Sequence, residues 1–186
     1  MARLLTGEER SRAVAQIVAG HYSHLVPSGK SYYVGFEDAI VVWSIPANKN
    51  IAKFVLWEGA VVWELSRLWA PDGHRDNLLT EAISKAARIL AERERPDALV
   101  SYADPNAGHS GGVYRAASWL YHGRSEESRV YIDVNGQTVA RRAFHSGSRS
   151  LKKAEIEALG YKELKLPGKH RFVKPMTRQA RRWLVS

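Results

Sequence analysis

Apolar positions in the first third of the chain follow two different periods. In "GEERSRAVAQIVAG", residues 7–20, Ala13, Ile17 and Val18 share one face after an acidic first turn, which predicts a helix ending at Gly20. Three short runs rich in β-branched and aromatic residues follow, "SYYVGFE", "AIVVWSI" and "IAKFVLW". Glycine, proline and asparagine separate them, so we predict three consecutive antiparallel strands.

The next run, "AVVWELSRLWA", is longer and alternates between two sides. Strict alternation places Arg67 on the same side as Trp63, Leu65 and Trp69. A charged group on a mainly apolar side needs a specific partner or a place in a cleft. Arg67 is therefore a candidate cleft residue.

The second half of the chain mixes both periods. "LLTEAISKAARILAERER" repeats Leu79, Ile83, Ala86 and Leu90 on one face and predicts the most regular helix. "DALVSYAD" predicts a buried strand, and "GGVYRAASWLYHG" a helix of about three turns. An Asn-Gly turn inside "RVYIDVNGQTVARRAF" predicts a hairpin, and "LKKAEIEALG" predicts a short helix.

This order of elements predicts the fold class α/β (α+β), with a mixed, mostly antiparallel central sheet and helices on both faces. The chain has 186 residues, an ordinary length for one domain. We therefore expect a single domain over residues 1–186, with a basic C-terminal segment over about residues 161–186.

Composition narrows the possible chemistry. Cysteine is absent, so disulfides, a thiolate nucleophile and a cysteine zinc site are excluded, and a metal would need His, Asp, Glu or Tyr. The N-terminus carries charges where a signal peptide needs apolar residues, and no window approaches the roughly 20 apolar residues of a membrane span. We expect a soluble, cytoplasmic protein with no membrane partner.

The charge balance points to a phosphate-rich partner. Lys and Arg number 28 against 19 Asp and Glu, which gives a net charge of +9 and a pI near 9.9. The C-terminal segment interleaves many of these cations with Tyr161, Phe172 and Trp183, a pattern suited to nucleic-acid backbones and base stacking. A solvated, charged terminus is the alternative.

The stretch "SYADPNAGHSGGVYRAASW", residues 101–119, concentrates polar groups after a buried strand. Asp104 ends that strand, where ligands collect in α/β sheets, and is a candidate general base, metal ligand or substrate clamp. Its alternative role is to start the turn and bond the loop's own amides. Tyr114, in the first turn of the next helix, is a candidate proton donor or metal ligand, and otherwise packs on the sheet.

Histidines and an arginine surround these groups in the sequence. His109 and Arg115 lie in the same stretch and are candidate cleft residues, although a turn hydrogen bond and a solvated stem over an aromatic ring are sufficient alternatives. His21 and His24 follow the first helix three residues apart, a spacing that suits one metal or one base, or an ordinary surface loop.

The turn "PDGHRDNLLT" precedes the most regular helix. Such a turn presents backbone amides and a helix N-terminus to phosphate, with His74, Arg75 and Asn77 as further donors. Simple capping by Asn77 or Thr80 is the alternative.

Several of these segments together resemble the Mom family of phage DNA-modification proteins. The likeness covers about residues 15–125 and rests on "LSRLWAPDG", "LVSYADPNAGHSGGVYRAASWLYHG" and, near the N-terminus, "HYSH". The resemblance implies a GNAT-like acyltransferase fold. It also implies an activity that converts adenine in double-stranded DNA to N6-carbamoylmethyladenine and protects phage or prophage DNA from host restriction.

The resemblance also implies roles for individual residues. Asp104, Tyr114 and His21 would be catalytic, with Arg67 and Ser101 supporting them in the cleft. The family has been linked to iron, for which the same three catalytic residues would offer oxygen and imidazole ligands.

The donor of the added group follows less directly from the resemblance. Gly73 and Asn77 occupy the place where GNAT enzymes bind the pyrophosphate of acetyl-CoA. The Gly-rich signature common in those enzymes is missing here, so the expected donor is acetyl-CoA or a related compound.

Two other functions fit the same residues. One is a GNAT-like N-acyltransferase that uses acetyl-CoA on a protein or small-molecule amine. The other is a DNA-binding module without enzymatic activity, which would keep its DNA affinity after loss of Asp104 and Tyr114. The sequence leaves the oligomeric state open, with a dimer as one option.

Overall fold

The structure, a computed structural model, describes residues 1–146 and 149–186. The strands are β1 (Arg3–Leu4), β2 (Ser31–Phe36), β3 (Ala39–Ser44), β4 (Val62–Trp69), β5 (Ala98–Ala103), β6 (Leu120–Arg124), β7 (Ser128–Ile132), β8 (Thr138–Ala140), β9 (His145–Ser146), β10 (Arg149–Ser150), β11 (Lys162–Leu166) and β12 (His170–Pro175). The helices are α1 (Gly7–Gly20), α2 (Ile51–Val55), α3 (Leu78–Glu94), α4 (Gly112–Ala116), α5 (Lys153–Ala158) and α6 (Arg178–Val185), and two 3₁₀ helices span Pro105–Ala107 and Arg141–Phe144.

A seven-stranded sheet forms the centre, in the order β1-β2-β3-β4-β5-β12-β6. Its neighbours are antiparallel except for the parallel pair β4 and β5. That parallel ladder runs from Val62 opposite Ala98 to Leu65 opposite Ser101 and ends there, although β4 continues to Trp69. The two strands therefore part at their carboxyl ends, where an α/β sheet offers a crevice to ligands.

Helices cover both faces of this sheet. On the face that we call the α3 face, α3 and α4 pack against apolar side chains that include Trp43, Trp63 and Phe172. On the opposite face, which we call the α1 face, α1 covers Tyr33 and Val42, while α2 and α6 cover the side of β4, β5 and β12 that carries Val62, Val100 and Val173. The predicted mixed, mostly antiparallel sheet with flanking helices is confirmed.

The predicted strand "IAKFVLW" is wrong, because its first residues form the short helix α2. Ile51 and Val55 lie one helical turn apart and are both buried against the apolar cluster around Val62 and Val100. A short apolar run suits a strand or a buried helical turn equally well, and packing against the α1 face selects the helix here.

The predicted three-turn helix in "GGVYRAASWLYHG" is only partly correct. Helix α4 ends at Ala116, and Ser118 takes a left-handed conformation with φ 59°. Trp119 is then buried, and the next residues continue as β6, the edge strand beside β12. Burial of the Trp119 indole and pairing of β6 with β12 therefore favour a strand where the sequence predicted the last two turns of the helix.

A β-bulge in β4 overturns the predicted side of Arg67. Trp43 pairs with Leu65, whereas its neighbour Val42 pairs with Arg67, so Ser66 is the extra residue. The bulge moves Arg67 from the side of Leu65 to the α1 face, since directly paired residues lie on one side of a sheet. Arg67 reaches a cleft, but from the face opposite to the one that strict alternation predicts.

Residues between β6 and β12 build a smaller sheet in the order β11-β7-β8. Its β7–β8 hairpin turns at Asn135-Gly136, as the sequence predicts, with the Asp133 carboxylate accepting hydrogen bonds from the amides of Asn135 and Gln137. None of the helices in the described residues is long and apolar enough to cross a membrane.

Candidate active site

A cavity of about 510 Å³ opens where β4 and β5 part, and we call it the main cleft. The end of β4, the loop after α1, the loop after β4 and the start of α4 line it. Of the residues that the sequence singled out, those lining the main cleft are His21, Arg67, His74, His109 and Tyr114. The cleft connects the two faces of the sheet, because Tyr114 lies on the α3 face and Arg67 on the α1 face.

Tyr114 enters the main cleft from the first turn of α4. That turn starts at Gly111, which has φ 82° and would place a Cβ atom 2.2 Å from the ring of Phe172. Only glycine allows this close approach, so the short helix rests directly on β12. Tyr114 is 7% exposed and packs against the rings of Trp119 and Phe172.

The hydroxyl of Tyr114 lies 2.9 Å from Oγ of Ser101, and that Oγ lies 2.8 Å from the carbonyl oxygen of Leu65. Burial raises the pKa of Tyr114 to about 12, so the phenol keeps its proton at neutral pH. Ser101 has one hydroxyl hydrogen and can donate it to the carbonyl or, if the phenol ionises, to the phenolate. The pair is arranged to give up a proton and to stabilise the oxygen that remains.

His21 follows the last residue of α1 and is 9% exposed. Its Nδ1 accepts a hydrogen bond of 3.1 Å from the Ser23 amide, which leaves the proton of the neutral ring on Nε2. Burial, followed by the charge of Arg67, lowers the pKa of His21 to about 4. The imidazole is therefore neutral and is a hydrogen-bond donor through Nε2.

The lowered pKa of His21 predicts a pH-dependent stability. An unfolded histidine has a pKa near 6.5, so between about pH 6.5 and pH 4 the unfolded chain binds more protons and the folded state loses stability as the pH falls. For this imidazole the cost is about 1 to 2 kcal/mol between pH 8 and pH 5, since solvent in the open cleft screens part of the shift. We expect urea unfolding at the two pH values to show a loss smaller by about that amount in His21→Gln.

The Gln variant keeps a side-chain N–H donor but does not titrate, so other titrating groups cancel in the comparison. An exposed-site control, His145→Gln, should lose as much stability as the unsubstituted protein. Equal losses in His21→Gln and the unsubstituted protein would contradict the assignment.

Arg67 ties the loop after α1 to the sheet. Its Nε donates a hydrogen bond of 2.6 Å to the carbonyl of Leu25, and its Nη1 donates to the carbonyl of Ser66 at the bulge. The bulge thus aims a guanidinium at the loop that carries His21. Arg67 holds one wall of the main cleft and supplies its positive charge.

Asp104 does not line the main cleft. Its Oδ1 accepts hydrogen bonds from the backbone and side chain of Asn106, at 3.0 and 2.9 Å, so the turn-starting geometry considered as the alternative role is present. Its Oδ2 forms an ion pair of 2.8 Å with Lys169, the residue before β12. Burial favours the neutral acid, but Lys169 and Asn106 outweigh it and lower the pKa of Asp104, so the carboxylate is ionised.

These contacts do not fit an iron centre on His21, Asp104 and Tyr114. The carboxylate faces Lys169, the phenol keeps its proton against Ser101, and Nδ1 of His21 is already an acceptor. Within residues 1–146 and 149–186, no group of three or more His, Cys, Asp or Glu side chains is arranged to hold a metal. The expected iron site gains no support from the structure.

The remaining candidates of the polar stretch take local roles. The ring of His109 lies 5.0 Å from that of Tyr22 at the rim of the main cleft. Arg115 donates to the carbonyl of Ser110 at 2.8 Å and lies over the ring of Phe172, outside the cleft lining. His24 is exposed, and its Nδ1 contacts the carbonyl of Val18 near the end of α1.

The turn before α3 borders the same cleft. Gly73 has φ 76°, Asn77 has φ 62° as the residue before the helix, and the amides at the start of α3 follow. Arg75 is engaged elsewhere, since it pairs with Glu37 at 2.8 Å and Glu81 at 3.0 Å, which raises its pKa. The turn keeps backbone donors for an anion, but its arginine is already neutralised.

A second cavity, also about 510 Å³, lies on the α1 face, and we call it the side cleft. Its lining includes Phe54, Glu64, Tyr102, Arg124, Lys169 and Arg171. Tyr102 also lines the main cleft, so the two cavities adjoin there.

Glu64 is the residue of the side cleft that our reading of the sequence missed. Burial raises its pKa, although a backbone hydrogen bond from Ala47 and the charges of Arg67 and Lys169 oppose that shift. The signal was a carboxyl inside an apolar strand, "VVWELSRLW", where a charged group is rarely placed without a purpose.

The central sheet, the parted strands and the cleft between them define a GNAT-like acyltransferase fold. The chain aligns with NAA60 of Arabidopsis thaliana in complex with acetyl-CoA at TM-score 0.56 and 8% identity, covering 95% of this chain and 98% of that one. It aligns with a chain of the NatC complex bound to Gag peptide and CoA at TM-score 0.51 and 9% identity, covering 95% and 98%. At such low sequence identity, these alignments show similarity of fold alone.

The sequence identifies the family within that class. The Mom protein family matches the chain over residues 6–186, and the chain therefore belongs to that family. No protein of curated function matches it in sequence. The chain therefore combines membership of the Mom family with a GNAT-like acyltransferase fold.

Proposed function

We propose that this protein modifies the exocyclic amine of adenine in double-stranded DNA, giving N6-carbamoylmethyladenine and protecting the DNA from restriction. Membership of the Mom family supports DNA modification, and the acetyltransferase fold supports group transfer to an amine. The observation that carries the proposal is the buried Tyr114–Ser101 pair inside the crevice between the parted strands. It places a proton donor where a donor molecule and an amine can meet.

The group donor is a compound related to acetyl-CoA, bound in the main cleft, that carries a carbamoylmethyl unit (CH2–CO–NH2) on a leaving group. Acetyl-CoA itself would transfer an acetyl group and give N6-acetyladenine instead. Beyond Leu65 and Ser101 the edges of β4 and β5 no longer pair with each other, so an amide-containing arm can lie between them. The turn at Gly73 and Asn77 and the first amides of α3 then face an anionic end of the donor. Since Arg75 is neutralised by two carboxylates, those backbone amides are the main anion contacts.

The residues of the main cleft divide the proton transfers between them. Tyr114 protonates the leaving group, and Ser101 then donates to the phenolate that forms. His21 donates a hydrogen bond from Nε2 to the amide oxygen of the transferred group and holds that group in place. The adenine amine becomes acidic once it bonds to the donor carbon, and the Tyr114 phenolate takes its proton, which restores the phenol.

The α1 face is the surface that receives DNA. Helix α6 packs on this face and exposes Arg178, Arg182 and Trp183 around a shallow depression, and Trp183 stacks edge-on against Trp57. The side cleft with its three cations opens on the same face. An adenine in a duplex must leave the base stack to reach a cleft, so a basic surface next to a cavity suits base flipping.

Charge removal on α6 tests this surface. We expect Arg178→Gln/Arg182→Gln to weaken duplex binding in fluorescence anisotropy and to reduce the slope of log K against log salt by about 1 to 2, because each phosphate contact contributes about 0.9. Lys85→Gln/Arg88→Gln removes the same charge from the exposed side of α3 on the opposite face. An equal loss in both double variants would mean that the net charge, rather than α6, binds the DNA.

Nucleoside analysis tests the reaction itself. The protein is expressed in bacteria, and digested DNA is compared by mass spectrometry with DNA from cells expressing Tyr114→Phe. A carbamoylmethylated adenine that depends on Tyr114 supports the proposal. Unmodified adenine despite abundant folded protein would contradict it, and acetylated proteins or polyamines in the same cells would favour the N-acyltransferase alternative.

A further inference from the structure

We propose that the side cleft holds the flipped adenine and that the carboxyl group of Glu64 reads the Watson–Crick edge of the base. The inference rests on the proposed function, since it assigns the base specificity of that reaction to one residue. Glu64 becomes the specificity-determining residue, and the donor and the base occupy adjoining cavities.

The position of Glu64 fits this role. It lies on β4 opposite Val100 of β5, one residue before the last pair of the parallel ladder, and its side chain faces the side cleft. Tyr102 separates the side cleft from the main cleft and lines both. A base bound against Glu64 therefore lies beside the point where the strands part.

The hydrogen-bonding groups of adenine match a protonated carboxyl. Adenine presents an acceptor at N1 and a donor at N6, and a carboxylic acid offers one O–H donor and one carbonyl acceptor. The buried position of Glu64 raises its pKa and favours the acid. Ala47 donates a backbone hydrogen bond to this carboxyl, which favours the contacted oxygen as the acceptor and the other oxygen as the site of the proton in the acid form.

This fixed orientation distinguishes adenine from guanine. Guanine presents an acceptor at position 6 and a donor at position 1, the reverse of adenine. With the proton of Glu64 on the oxygen away from Ala47, guanine in the same pose would place donor against donor and acceptor against acceptor. Such unpaired groups in a partly buried site are costly.

The rest of the side cleft suits a nucleotide. Phe54 is 60% exposed at the rim, and Tyr102 lies deeper, so aromatic faces are available for stacking on the base. Arg124, Lys169 and Arg171 add positive charge for the flanking phosphates. A volume of about 510 Å³ lies within the range of roughly 300–1,000 Å³ typical of small-ligand pockets.

Binding to base analogues tests the inference without requiring catalysis. Short duplexes carry adenine, 1-deazaadenine or 7-deazaadenine opposite an abasic site, which leaves the target base easy to flip, and affinity is measured by fluorescence anisotropy. Loss of N1 should weaken binding about tenfold, because a bidentate base contact contributes roughly 1–3 kcal/mol of discrimination. 7-Deazaadenine keeps N1 and N6 and should bind like adenine.

Three variants separate the reading of the base from the fold. Glu64→Gln keeps one donor and one acceptor and should still discriminate between adenine and 1-deazaadenine, whereas Glu64→Ala should bind both equally. Glu58→Ala removes an exposed carboxyl outside the cleft and should behave like the unsubstituted protein. Equal affinity of the unsubstituted protein for adenine and 1-deazaadenine, or intact discrimination in Glu64→Ala, would overturn the inference.

The outcomes for the reaction and for the base pocket are distinguishable. If DNA from expressing cells carries modified adenine but Glu64→Ala still discriminates adenine from 1-deazaadenine, the proposed function is supported and the role of Glu64 is wrong. If that discrimination depends on Glu64 but no modified adenine forms, the base pocket is supported and the proposed reaction is wrong.

Discussion

Replacing Tyr114 with phenylalanine should lower the amount of modified adenine by about 100- to 1,000-fold, since a positioned general acid contributes roughly 10²–10⁴ in rate. The pKa of about 12 keeps the phenol protonated before the reaction, so it is available as a proton donor. The substitution removes only the hydroxyl oxygen and its proton. Mass spectrometry of nucleosides from cells with matched protein levels measures the effect.

The fold should survive this substitution. Without the phenol, the Ser101 hydroxyl still donates to the Leu65 carbonyl at 2.8 Å, so no buried donor is left unpaired. The ring of Phe keeps the contacts with Trp119 and Phe172. Tyr121→Phe, at an exposed ring beside Phe172, is the matched control and should retain full modification. Product at normal levels in Tyr114→Phe would remove the phenol from the mechanism.

Local sequence pattern predicted the elements that position the main cleft. The periodicity of α1 and α3 and the apolar runs of β4 and β5 needed no long-range information. The bulge at Ser66 could not be predicted in this way, because a one-residue shift in register depends on pairing with β3. For that reason the sequence marked Arg67 as a cleft residue but gave the wrong face.

The sequence did not predict the side cleft, for a similar reason. Lys169 and Asp104 are far apart in the sequence, and antiparallel pairing of β12 with β5 brings them together. Glu64 and Tyr102 meet because β4 and β5 are parallel neighbours. The sequence therefore showed the residues of one loop cluster, whereas the cavity beside it depends on strand order.

The two clefts explain how one sheet could serve a donor and a base at once. The main cleft is bounded by α3 and α4 on one face, and the side cleft opens beside α2 on the other. They adjoin at Tyr102, where β4 and β5 begin to part. Separate entrances allow a nucleic acid to approach the α1 face while the donor lies between the strands.

The ion pair between Asp104 and Lys169 makes it possible to test whether Asp104 positions Lys169 or takes part directly in the chemical step. Asp104→Asn should lower modification by about 100-fold, because a substitution away from the chemistry that shifts the bound DNA by about 1 Å costs that much. In our interpretation Asp104 acts by positioning Lys169 at the edge of the side cleft, where the ammonium faces DNA phosphate. Lys169→Met should then cause a similar loss.

The double variant Asp104→Asn/Lys169→Met decides between positioning and direct proton transfer. If the two residues act as one unit, its loss should equal that of either single variant, since effects within one pair are not additive. An independent catalytic carboxylate would instead make the two losses multiply. Duplex affinity gives a second readout, because removal of the Lys169 charge should weaken DNA binding and lower its salt dependence by about one phosphate contact. If Asp104→Asn lost modification while its affinity for DNA and the salt slope stayed unchanged, Asp104 would be acting on the chemical step and the positioning role would be wrong.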